Sequence, residues 1–117
     1  MSKTSSALLF KFLMTLVVTG IAFGIIGGND FKWVLLVAAL GTVIDYLAGD
    51  LRILPKVGSL IGALINGVLA AIIALAVAMA VPAFTTTTFT VLIFAVLVAV
   101  GEYFFHQYLL RAEKVEP

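Results

Sequence analysis

The sequence predicts an all-α integral membrane protein: a four-helix bundle with both termini in the cytoplasm. Three observations carry that prediction. Of 117 residues, 63% are hydrophobic and 11% charged, and the mean hydropathy is +1.24. A soluble domain carries about 25% charged residues, so lipid rather than water must face most of this surface. Four apolar runs follow one another, each too long for a strand and each bounded by charge, Gly or Pro. The basic residues then fall almost entirely on one side of those runs.

Span one runs from about Ala7 to Gly27, with Lys11 near its start. A short basic stretch before an apolar run also resembles a cleavable signal, but no small-x-small site followed by a polar domain appears. It reads as a retained anchor. Span two runs from about Trp33 to Gly49, span three from about Val57 to Val81, and span four from about Phe89 to Leu110. Each holds close to the roughly 20 residues needed to cross a bilayer. None shows the alternation of a barrel strand, so all four are expected to be helices. A single transmembrane domain, residues 1–117, is expected.

Orientation follows from the short connections. Lys3 and Lys11 open span one, Arg52 and Lys56 lie between spans two and three, and Arg111 and Lys114 follow span four. Only Lys32 falls on the opposite side. This positive-inside bias predicts a multi-pass protein of the bacterial inner or plasma membrane, N-in and C-in. Trp33, Phe31 and Phe84 are expected in the outer aromatic belt, and Tyr103, Phe104, Phe105 and Tyr108 in the inner one. Sliding the chain by 57 residues lays Val34–Tyr46 over Val91–Tyr103 with six of thirteen identities, and an acid-Tyr pair closes both segments. That match leaves room for a parallel repeat of two hairpins about an axis along the membrane normal.

Acids inside spans are where chemistry concentrates, because each costs about 2.5 to 3.5 kcal/mol at a helix centre. Asp45 lies five residues before Asp50, roughly 7.5 Å deeper at about 1.5 Å per residue, and Glu102 nine residues before Arg111, roughly 13 Å deep. Asn66 falls at comparable depth, with Lys11 and His106 nearer the edge. One polar layer of Lys11, Asp45, Asn66, Glu102 and His106 is therefore expected, with every span contributing. It reads either as a proton- or cation-handling site or as a device that fixes helix register. In the second reading Lys11 neutralises one acid while Asn66 and Tyr46 or Tyr103 hydrogen-bond the other.

Glu102 and His106 have the i, i+4 spacing of two metal ligands, but a lone pair does not make a site and no metal is expected. Cofactors are likewise expected to be absent. Without cysteine there is no disulfide, thiol nucleophile or zinc cluster, and without a basic run there is no surface for nucleic acid.

The stretch from Gly49 to Gly58 should bend at the membrane surface, since Gly49 weakens the last turn of span two and Pro55 cannot continue it. Asp50, Arg52, Pro55 and Lys56 form a candidate docking turn there. Small residues at every fourth position are candidates for close helix packing: Gly20, Gly24 and Gly28 on span one, Gly58 and Gly62 leading to Asn66 on span three, and Ala63, Gly67 and Ala71 beside them. Thr85 to Thr88 are expected to supply an outer turn and a helix cap.

Lys11-Phe12, then Asp45-Tyr46-Leu47-x-Gly49-Asp50-Leu51-x-Ile53-Leu54-Pro55-x-x-Gly58, then Asn66-Gly67 form a pattern that resembles the YndM-like family. That family is a domain of unknown function in four-pass membrane proteins of bacilli. Where it commonly carries an acid after the small residues of span three, this chain has Asn66-Gly67. The hairpin layout is also similar to the four-spanning phage-holin-like superfamily. The chain departs from small multidrug-resistance transporters, which carry an essential Glu in span one. These readings imply a non-enzymatic protein that works by helix packing, oligomerisation or partner docking. Its expected partners are the bilayer and either further copies of itself or another membrane protein. The alternative is a small proton- or cation-linked transporter or channel using Asp45 and Glu102.

Overall fold

The structure, a computed structural model, describes residues 3–115, with side chains described for residues 5–49 and 56–107. Helix α1 spans Lys3–Thr19 and continues through wider π-helical turns over Gly20–Ile26. Helix α2 spans Phe31–Ile44 and widens likewise over Asp45–Ile53. Helix α3 spans Leu54–Ala80 and α4 spans Thr88–Val115. Four helical segments, Ser5–Ile26, Phe31–Gly49, Lys56–Ala80 and Thr88–Gln107, are long and apolar enough to cross a membrane. In hydrocarbon every backbone group must find its partner within the segment, which is why the apolar runs become helices.

Each helix packs on its neighbours in chain order, and α1 closes the ring against α4. The α3–α4 pair is the most intimate. Helix α3 meets its predecessor mainly through the widened end of α2. The molecule measures 47 × 28 × 21 Å, its long axis comparable to a bilayer with headgroups, about 40–45 Å.

The core has two parts. Towards the α1–α2 and α3–α4 connections, Phe23 sits at the centre of an apolar cluster that includes Val34, Val37, Ala74, Phe94 and Val98. Its ring meets Phe84 edge-on at 5.1 Å between centroids and Phe94 at 4.9 Å, the offset geometry that aromatic quadrupoles favour. Towards the other end lies a smaller cluster of Ala7, Tyr46 and Phe105. Phe84 and Phe105 are thus core residues and not members of the expected belts. Phe84 lies in the α3–α4 connection and Phe105 within α4, and at neither place does a sequence pattern distinguish a ring turned inward from one turned to the interface.

The connections are held by side chains. Asn29 joins the two loops at one end: its Nδ2 donates to the carbonyls of Phe23 at 3.0 Å and Thr85 at 2.9 Å, and its Oδ1 accepts from Thr85 N at 2.9 Å. Thr87 caps α4, as the threonine run predicts. Thr87 Oγ1 accepts from Thr90 N at 3.1 Å while Thr90 Oγ1 accepts from Thr87 N at 2.9 Å, a reciprocal pair that satisfies two otherwise orphaned donors. Within the spans, Thr19 and Thr42 donate their hydroxyls to the carbonyls of Thr15 and Ala38, one turn earlier, and so carry no unsatisfied group into the core.

The glycines divide by role. A side-chain carbon at Gly67 would stand 2.7 Å from the Ala95 carbonyl oxygen and 3.2 Å from the Ala99 Cβ, so α3 and α4 touch backbone to backbone there. Gly24 makes an ordinary contact with Val34, and Gly62 is buried. At Gly20, Gly28 and Gly58 the expectation of close packing is not met, because nothing lies within 4 Å of the same position. Gly28 and Gly58 instead have φ of +72° and +84°, backbone that only glycine adopts without strain. The break between the second and third spans follows from this: the helical path runs on past Gly49 and bends at Gly58, three residues after Pro55. Pro55 lies within that helical path, three residues before the bend, and does not end it.

Candidate functional site

Lys11 enters the bundle from α1, and Glu102 and His106 from successive turns of α4, so that the i, i+4 spacing sets both on one face. Asn66 faces them from α3. The four side chains have a relative exposure of 0% each. Lys11 Nζ lies 2.6 Å from Glu102 Oε2, a charge-assisted hydrogen bond across the bundle. Asn66 Nδ2 donates to the same oxygen at 3.3 Å and also faces His106 Nε2 at 3.3 Å. His106 Nε2 itself stands 3.7 Å from that oxygen.

Taking two charges out of water costs several kcal/mol per ion, which only close pairing with further hydrogen bonds offsets. The layer supplies both. Lys11 also lies over the Phe105 ring, 4.9 Å from its centroid, where the negative face of the ring stabilises the ammonium. Phe105 in turn stacks on Phe10 at 5.9 Å, fixing the platform.

The widened end of α2 completes the layer. Gly49 packs so closely on Asn66 that a side-chain carbon there would overlap the carboxamide oxygen. One turn earlier, Asp45 is buried at 2% exposure, and Tyr46 beside it is buried at 6%. The acid-Tyr pairs of the matched segments differ here, because Tyr103 beside Glu102 is exposed and packs edge-on against Phe104.

The structure brings Lys11, Asn66, Glu102 and His106 into direct contact. Asn66 and Lys11 both reach the same oxygen of Glu102. In the expected docking turn, Lys56 is exposed, and Asp50, Arg52 and Pro55 lie outside the residues whose side chains are described. Among the described residues, no group of three or more His, Asp or Glu could hold a metal ion.

Two partners escaped the sequence pattern. His106 Nδ1 lies 3.2 Å from the Ser59 carbonyl, and Gln107 Nε2 donates to Ser59 Oγ at 3.1 Å. Ser59 follows the positive-φ glycine at the start of the straight part of α3, and that glycine is the one signal that would have found it.

A family model described as a protein of unknown function, DUF2512, matches residues 2–116. The chain belongs to the DUF2512 family. No curated protein and no solved structure matches it. For a DUF2512 chain, what the site does must therefore be argued from its own geometry. That geometry is an ion pair with no exposed member, braced by an amide and an imidazole, within four apolar helices.

Proposed function

We propose that this DUF2512 protein is a non-enzymatic multi-pass protein of the bacterial inner membrane that works by assembly, either with copies of itself or with another membrane protein. Its buried polar layer acts as a clasp that holds the four helices in one register. The observation that carries this reading is the 2.6 Å contact between Lys11 and Glu102 with both residues at 0% exposure. An acid neutralised by a fixed cation and closed off from the surface suits register better than it suits a passing ion. The YndM-like motif and the holin-like hairpin layout belong to the same reading, as does a parallel repeat of two hairpins. The basic residues set both termini in the cytoplasm.

The test is the size of the purified protein in detergent or nanodiscs, measured by light scattering together with cysteine crosslinking in whole cells. A defined oligomer, or capture of one membrane partner, supports assembly. A monomer that crosslinks to nothing in cells overturns it. Reporter fusions at either terminus, active only in the cytoplasm, test the topology.

A second reading, proton- or cation-linked transport through Asp45 and Glu102, is favoured by one observation: His106 reaches from Glu102 to Ser59, which is half-buried at the Gly58 break. Flux across reconstituted vesicles that disappears in Asp45→Asn and Glu102→Gln, while assembly persists, would replace the first reading with this one.

A further inference from the structure

Two donors and one imidazole nitrogen converge on one carboxylate oxygen. Glu102 Oε2 holds Lys11 Nζ at 2.6 Å and Asn66 Nδ2 at 3.3 Å, with His106 Nε2 at 3.7 Å. On its other edge the imidazole places Nδ1 3.2 Å from the Ser59 carbonyl. A carbonyl only accepts, so in the neutral ring Nδ1 carries the proton. That leaves Nε2 as an acceptor, the role that Asn66 Nδ2 fills at 3.3 Å. The neighbours of His106 thus select the Nδ1–H tautomer and leave Nε2 as the atom that a further proton would occupy.

We propose that His106 is a proton-binding site that determines which cation holds Glu102. The inference rests on the reading of the layer as a clasp and names what regulates it. When Nε2 takes a proton, it no longer accepts from Asn66, and two donors then face each other across 3.3 Å. The new N–H turns towards Glu102 Oε2 and closes the 3.7 Å gap to a hydrogen bond. Lys11 and the imidazolium then compete for one carboxylate, and Lys11 has a second resting place on the Phe105 ring. Proton uptake exchanges an α1–α4 tie for a tie within α4, and so loosens α1.

Among the described residues, the charged and titratable groups buried at this end are Lys11 from α1, Asp45 and Tyr46 from the end of α2, and Glu102 from α4 itself. Helix α3 contributes the uncharged Asn66 and Ser59, and its Lys56 is exposed. The proton comes from solvent past Ser59 and Gln107, both half-buried beside the Gly58 bend.

His106 is the one histidine in the sequence, so its imidazole nitrogens can be read without assignment ambiguity by NMR of protein labelled with ¹⁵N-histidine in nanodiscs. At pH 8 the expected spectrum shows a protonated Nδ1 and an unprotonated Nε2. Lowering the pH to 5 converts the ring to imidazolium, and the Lys11 ammonium resonance of ¹⁵N-lysine-labelled protein moves over the same range. In Glu102→Gln, with no carboxylate for the two cations to share, the Lys11 resonance no longer follows the ring, whereas in Lys11→Met the ring has the carboxylate without that competitor. The proposal is overturned by an Nε2–H tautomer at pH 8, by a ring still neutral at pH 5 in folded protein, or by a Lys11 signal that ignores the conversion. Those wild-type readings decide the matter even if the single variants fail to fold. A neutral ring leaves the clasp intact, because the clasp is judged by unfolding of the same variants. A clasp that proves dispensable leaves the spectrum to stand by itself.

Discussion

Lys11 and Glu102 lie 91 residues apart in sequence and 2.6 Å apart in space, and this contact ties the first helix to the last. Removing either partner takes the counter-charge from a fully buried ion. Lys11→Met and Glu102→Gln are each expected to cost about 3 kcal/mol or more, with most of the loss restored in the double variant, because paired removal leaves no stranded ion. Unfolding in mixed micelles, with all four proteins compared, measures the coupling directly.

Gly49→Ala is expected to destabilise by about 1 to 3 kcal/mol, since the added carbon falls on Asn66 and must push it away from Glu102 and His106. Gly67→Ala should cost a similar amount by forcing α3 off the Ala95 backbone. Gly20→Ala, with open space around it, should be neutral or slightly stabilising. Thermal melts of the three variants in one detergent rank them, and equal losses would show that the contacts do not discriminate.

Thr87→Ala removes the acceptor that caps Thr90 N and is expected to cost about 1 kcal/mol, with Thr87→Ser recovering most of it. Hydrogen exchange at the first turn of α4 reads this locally. Faster exchange confined to that turn is the expected result.

Asn29→Ala removes three hydrogen bonds between the loops and a fourth to the Phe23 carbonyl at once. A loss of about 2 kcal/mol is expected, together with faster exchange at Thr85 N, while Asn29→Asp keeps the acceptor half and loses less. Deuterium uptake at Thr85 distinguishes the two variants.

Much of this arrangement was legible beforehand. Apolar run length alone marks the four helices, because a bilayer tolerates so few alternatives for a backbone. The buried polar residues were also legible, since in an apolar sequence Lys11, Asn66, Glu102 and His106 stand out by type and depth. Their pairing was not. Nothing local marks Glu102 as a partner of Lys11, and that contact comes from the rotation of α4 against α1. Gly58 misled for a related reason. A small residue four positions from another looks the same whether it serves a helix contact or a positive φ. Gly49 escaped notice as a contact point because α2 was expected to end there, whereas the backbone winds on in wider turns and carries it against Asn66.

The Asn29 bridge between the two loops has a mechanical consequence. It ties the α1–α2 loop to the α3–α4 loop, so the two hairpins cannot part at that end without breaking it. At the other end the helical path from α2 into α3 joins the same two hairpins, so they are fastened at both ends of the 47 Å axis. Lys11 on one hairpin and Glu102 with His106 on the other meet beside that second joint, where Gly49 packs on Asn66. The hairpins can therefore twist against each other but cannot swing apart, and a twist is felt at the contact between Lys11 and Glu102.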